Sequence, residues 1–182
     1  MKLHVLVVED DPDDLPGYLN DFKKPFSRRG IDVELEGCGK FEDAYKRIEG
    51  SNRYDLIVSD TYRGNSENGD AAVMEMVSRY QRISFCPLVV YSSGTMPVEF
   101  HEGPFLAWAD KARPPTIEGK IEFMLETGIP QISRKLRDDL EISGSEFLWD
   151  FLEKNWGRLN CDGGIKPKVL ERLVRRRAAF QI

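Results

Sequence analysis

The chain has 182 residues and a formal net charge of −5, with 41% apolar and 31% charged residues. That is the balance of a folded globular protein, and it argues against an intrinsically disordered one. No apolar run approaches the roughly 18 residues that cross a bilayer, which argues against a membrane span. The opening Met1-Lys2-Leu3-His4 leads straight into strand-like sequence without a secretory cleavage pattern. Cys38, Cys86 and Cys161 are isolated and odd in number. They read as reduced thiols rather than a disulfide framework or a zinc site, and a cytoplasmic location is the expectation.

Charge divides the chain. Residues 1–129 carry 15 Lys+Arg against 23 Asp+Glu, a balance of −8, and residues 130–182 carry 11 against 8, a balance of +3. An acidic body disfavours non-specific nucleic-acid binding by that part. Two parts are predicted: a body over 1–129 and a helical C-terminal extension over 130–182.

In chain order, Leu3–Val8 is a nearly continuous apolar run of strand length, as suits a strand buried on both faces of a parallel sheet. Leu15, Leu19, Phe22 and Phe26 then share one helical face, and Gly30 ends that helix. Ile31–Glu36 alternates apolar and acidic residues, the pattern of a strand nearer the sheet edge. A short helix follows over Phe41–Ile48, a third strand over Tyr54–Ser59, and a helix from about Asp70 to Arg82.

The fourth strand covers Cys86–Tyr91. Pro97, Gly103 and Pro104 restrict the next segment to a short helix at most. Phe105–Ala109 is the fifth strand, and Pro114-Pro115 opens a helix over about 116–127. Strand and helix alternate five times, which predicts a parallel sheet with helices on both faces. The extension reads as all-α. Ile132, Leu136 and Leu140 share a face, Ser143–Glu146 resembles a capping box, and a last helix over about Lys166–Phe180 is expected.

In an open α/β sheet, functional groups collect beyond the carboxyl ends of the strands. Strand one ends in Glu9-Asp10-Asp11, strand three in Asp60, strand four in Ser92-Ser93 and strand five in Lys111. Carboxylates brought together repel unless a cation compensates. A hard divalent ion such as Mg2+ (or Mn2+) suits such oxygen donors and bridges carboxylates to phosphate oxygens. An Asp60 oxygen would then attack phosphorus to give an acyl phosphate. Lys111 would offer a point charge and Ser92 a hydroxyl hydrogen bond to phosphoryl oxygens. Taken singly, each group has a plainer reading: the three acids as helix-capping residues, the serines as ordinary strand ends.

The ordered set Val7-Val8-Glu9-Asp10-Asp11, Val58-Ser59-Asp60, Val89–Ser93 and Ala109-Asp110-Lys111 resembles the signature of two-component response-regulator receiver domains, over roughly residues 2–128. The resemblance implies a flavodoxin-like α/β fold, a five-stranded parallel sheet in the order 2-1-3-4-5. It implies Asp60 as phosphoacceptor, with Glu9, Asp10, Asp60 and the backbone carbonyl of Tyr62 holding Mg2+. Ser92 would be the switch hydroxyl, Lys111 the lysine that meets the phosphoryl group, and Trp108 the aromatic that moves with phosphorylation.

Its partners would be a histidine kinase or phosphotransfer protein upstream, and a downstream protein or a second copy through residues 130–182. Such a chain catalyses its own phosphorylation and dephosphorylation without being a turnover enzyme. The family's usual prolines are replaced by Gly64 and Ala112, and the stretch between Ser92 and Trp108 is short. Two alternatives stay open: a degenerate receiver that binds partners without phosphorylation, and a DNA-binding regulator acting through the basic tail. Arg172, Arg175 and Arg176 read better as a solvated helix face. An aspartyl phosphatase fits poorly, because Tyr62 stands where such enzymes place a second aspartate.

Overall fold

The computed structural model describes residues 2–51, 54–61, 69–84, 86–113, 116–139 and 153–154. In chain order the elements are β1 (Lys2–Val8), α1 (Leu15–Arg28), β2 (Asp32–Cys38), α2 (Phe41–Ser51), β3 (Leu56–Asp60), α3 (Gly69–Ile83), β4 (Leu88–Ser92), β5 (Leu106–Asp110), α4 (Thr116–Glu126) and α5 (Ile129–Asp139). All strand pairs are parallel and the sheet order is β2-β1-β3-β4-β5. This is the doubly wound, flavodoxin-like arrangement. The order reverses between β1 and β3, so both strands deliver their carboxyl ends to the crevice where such sheets place their sites.

Burial follows position in the sheet. Leu56–Ser59 of β3 and all of β4 are buried, as the continuous apolar runs require. The edge strand β2 keeps Asp32, Glu34 and Glu36 outward and Val33 and Leu35 inward. Helix α1 packs beside α4, and α2 beside α3. Phe22, Pro25 and Phe26 bury the inner face of α1. That helix ends at Gly30, whose φ of 65° is a left-handed conformation that suits glycine. Gly30 N–H donates to Ser27 O and Ile31 N–H to Phe26 O, which satisfies two terminal carbonyls.

The β4–β5 connection carries the sequence restriction on helix to its limit. In place of a shortened helix, residues 93–105 contain turns and a single bridge between Gly103 and Leu106. Pro97, Gly103 and Pro104 break helical continuity, and the segment is held by other means. Phe100 is buried edge-on against Trp108, with ring centroids 5.2 Å apart. Glu102 accepts hydrogen bonds from Trp108 N–H at 2.7 Å and from Lys120 Nζ at 2.6 Å. Phe105 N–H donates to the Glu153 carboxylate at 3.2 Å.

Helix α5 docks at the opposite end of the sheet from the strand carboxyl ends. Ile129, Ser133 and Leu136 are buried, and Ile132 packs partly against the same core. The docking centres on Asp55, which is fully buried just before β3. Its carboxylate accepts from His4 N–H at 2.8 Å, from Arg134 Nε at 2.7 Å and from Arg137 Nη2 at 3.3 Å, with a further Arg134 contact through Nη2. The two arginines also donate to the carbonyls of Lys2 and Tyr54. The helices expected beyond residue 139 lie outside the described residues.

A buried carboxylate that satisfies two guanidinium groups is costly to remove, because the cations lose their partner while still partly shielded from water. Asp55→Ala is expected to lower unfolding free energy by ~3 kcal/mol or more. Arg137→Ala should cost less, since Arg134 still grips Asp55. Urea denaturation of the three proteins measures the difference.

Candidate functional site

Glu9, Asp10, Asp60, Ser92 and Lys111 are delivered to one rim by the ends of β1, β3, β4 and β5. Lys111 sits at the centre. Its Nζ lies 2.8 Å from Glu9 Oε2 and 3.1 Å from Asp60 Oδ2. Lys111 N–H donates to Ser92 O at 2.9 Å, which pins the residue to the end of β4. Burial works against the ammonium, but the bonds to Glu9 and Asp60 outweigh it and raise the lysine above its ordinary value. Lys111 is therefore a fixed positive charge.

Glu9 is buried at 1% exposure and uses both oxygens. Oε1 accepts Asp11 N–H at 3.2 Å, and Oε2 faces Lys111 and the Tyr91 hydroxyl at 3.1 Å. The Tyr91 hydroxyl also lies 3.1 Å from Val8 O. Burial, followed by the charges of Glu9 and Asp60, pushes the Tyr91 phenol well above its ordinary range, so it stays a neutral donor. The Tyr91 and Tyr18 rings also flank the lysine ammonium, at 4.8 and 5.3 Å from Nζ.

Asp60 is largely buried, with 13% of its side chain exposed. Its Oδ1 accepts Thr61 N–H at 2.7 Å, so each carboxylate oxygen has a donor. Below it, Ser59 Oγ lies 3.1 Å from the buried Tyr80 hydroxyl and steadies the end of β3. Burial raises the Asp60 carboxyl to about 6; the Glu9 charge adds to the rise, while Lys111 and Thr61 N–H oppose it. Asp10 is exposed. It also borders a cleft of about 530 Å3 between α2 and α3, floored by Phe41, Tyr45 and Met76.

One oxygen from each of Glu9, Asp10 and Asp60 lies within 4.8 Å of the others. Three hard oxygen donors at that spacing, beside a carboxyl whose ionisation is disfavoured, fit a divalent cation. The Tyr62 carbonyl, expected as a further ligand, lies outside the described residues. Trp108 is buried on β5 against Phe100, away from this cluster of contacts. The plainer reading of the acids as helix caps is not what the structure shows: Asp11 Oδ1 accepts Asp13 N–H at 2.9 Å in the turn before α1, and α1 begins without a side-chain cap.

Three contributors were not singled out from sequence. Tyr91 and Tyr18 look like ordinary core aromatics, although a tyrosine within the apolar Leu88–Val90 run is a signal that its hydroxyl has a buried partner. Thr61 is the third. Its Oγ1 lies 2.9 Å from Ser92 Oγ.

No family model matches the sequence, and no curated protein matches it. Response regulator receiver domains are among its structural neighbours. The N-terminal domain of a response regulator/sensory box/GGDEF 3-domain protein from Carboxydothermus hydrogenoformans aligns at TM-score 0.44 and 19% identity, covering 75% of this chain and 97% of that one. A response regulator receiver protein from Sinorhizobium medicae WSM419 aligns at TM-score 0.44 and 18% identity, over 72% and 94%. A putative lipoprotein fragment from Peptoclostridium difficile 630 aligns at TM-score 0.41 and 12% identity, over 69% and 99%. Likeness this low transfers no activity, and the fold assignment rests on strand order and direction. No helix among the described residues is long and apolar enough to cross a membrane.

The raised Asp60 carboxyl has a consequence for stability. A folded-state value of about 6 against an ordinary 3.8 means that the fold prefers the protonated group. Its favourable contribution is complete below about pH 4 and is lost as pH rises through about 6. Asp60→Asn is thus expected to stabilise chelator-treated protein by ~1–3 kcal/mol at pH 7.5, a gain that narrows towards pH 4. Thermal melts of both proteins across that range check the sign.

Proposed function

We propose that this chain is a response-regulator-type receiver that accepts a phosphoryl group on Asp60. The observation that supports it best is Lys111 Nζ held between Glu9 and Asp60 at 2.8 and 3.1 Å, at a rim shared with Asp10 and Ser92. The donor would be a histidine kinase or phosphotransfer protein. An Asp60 oxygen bonds to phosphorus while the P–N bond of the donor phosphohistidine breaks. The imidazole nitrogen leaves with the electron pair and takes a proton from water.

Thr61 N–H and the Lys111 ammonium hold the Asp60 carboxylate in a fixed plane, so little orientational freedom remains to be lost. Lys111 then faces the negative charge on the phosphoryl oxygens, and Ser92 supplies a neutral hydrogen bond. Glu9, Asp10 and Asp60, with the Tyr62 carbonyl, would hold Mg2+ or Mn2+. Such an ion neutralises phosphoryl charge when bound. The acyl phosphate hydrolyses, and the chain is a timed switch rather than a turnover enzyme.

In this reading residues 1–129 receive the signal and residues 130–182 pass it to a downstream protein or a second copy, in the cytoplasm. Trp108 is the aromatic that reports the state of Ser92.

Incubation with Mg2+ and acetyl phosphate, followed by intact-mass measurement, tests the assignment. Wild-type protein is expected to gain one phosphoryl group, Asp60→Asn none, and Lys111→Met much less. Absence of an Asp60-dependent adduct, together with no beryllofluoride binding, overturns it.

The helix-free β4–β5 connection favours a second reading. A receiver that has lost the usual moving segment would bind its partner without phosphorylation. Asp60→Ala would then leave partner binding and oligomeric state unchanged, whereas a phosphorylation switch loses its response to acetyl phosphate.

A further inference from the structure

Ser92 Oγ is already engaged before any anion arrives. β3 and β4 run parallel with Asp60 opposite Tyr91, so the next residue along each strand sets Thr61 against Ser92. Their hydroxyl oxygens are 2.9 Å apart, and Gly94 N–H donates to Ser92 Oγ at 3.1 Å. Ser92 is 1% exposed, so bulk water offers its hydroxyl little competition. Thr61 is itself fixed against the reacting carboxylate, because its N–H donates to Asp60 Oδ1 at 2.7 Å.

A serine hydroxyl carries a single proton and two acceptor lone pairs. Ser92 accepts from Gly94 and shares one further bond with Thr61, whichever of the two hydroxyls donates. With Ser92 as the donor to Thr61 Oγ1 its one proton is committed, and turning it towards an anion on Asp60 exchanges the Thr61 contact for a contact to the anion.

We propose that Thr61 is a positioning residue that latches Ser92 in the resting state by accepting the Ser92 hydroxyl proton at Oγ1, and so sets how readily the site accepts a phosphoryl-like anion. The inference rests on Asp60 as phosphoacceptor. A neutral hydroxyl–hydroxyl bond is weaker than the charge-assisted bond that replaces it, so the latch lowers affinity without blocking occupancy. No covalent bond changes in this step: the Ser92 hydroxyl only changes partner. Thr61→Val keeps the shape of the side chain and removes the latch, while Thr61→Ser keeps the hydroxyl.

Calorimetric titration with beryllofluoride at fixed Mg2+ reads the effect. Thr61→Val is expected to bind ~3- to 10-fold more tightly than wild type, the span that one neutral hydrogen bond covers. Thr61→Ser should match wild type. In a Ser92→Ala background the Thr61→Val gain should vanish, which a general loosening of the site would not produce.

Wild-type binding with unchanged or weaker binding by Thr61→Val overturns the latch alone. No binding by wild type overturns the phosphoacceptor reading and the latch together. If Thr61→Val fails to fold, Thr61→Ala carries the same expectation.

Discussion

One ammonium group organises the strand-end rim of this protein. Lys111 places a positive charge between the buried Glu9 carboxylate and Asp60, 2.8 and 3.1 Å away. Two carboxylates drawn this close would otherwise drive one of them to protonate or turn outward. Burial still raises Asp60 to about 6, so the lysine compensates the clustering only in part. A divalent cation held by Glu9, Asp10 and Asp60 would relieve that remaining cost.

The surrounding aromatics make the compensation possible. Tyr91 gives Glu9 Oε2 a second donor and flanks the lysine, and Tyr18 packs across both, its ring 5.2 Å from that of Tyr91. In such a shielded setting an ion pair interacts more strongly than at the surface, and leaving any member unpaired costs more. Stability and chemistry are therefore opposed at Asp60. The group that the fold would sooner keep neutral is the one whose charge the proposed reaction requires, a common compromise at functional sites.

The other end of the sheet solves a different problem. Asp55 is sealed beneath α5 and answers three chain segments through His4, Arg134 and Arg137. It ties the start of β1, the approach to β3 and the helix beyond α4 into one unit. The β4–β5 connection, residues 93–105, contains no helix and is held by Phe100, Glu102 and the Glu153 carboxylate. Burial pushes that carboxyl up to about 7.

Much of this was legible in the amino-acid order. The continuous apolar run Leu3–Val8 against the alternating Ile31–Glu36 separated inner β1 from edge β2, because burial on two faces leaves no room for polar side chains. Alternation of strand and helix determined the parallel sheet, and the acids, serine and lysine at successive strand ends pointed to one rim. Sequence also limited the β4–β5 segment to little helix, through its prolines and glycine.

Only the folded chain decided which atoms meet. That Glu9 spends its charge on Lys111, that Tyr91 reaches Val8 and Glu9, that Thr61 faces Ser92 and that Asp55 receives two arginines from α5 are long-range pairings. Strand register and helix docking create them, and neither leaves a periodic mark on the sequence. Local patterns report what each segment buries; they carry no record of which distant polar group satisfies it.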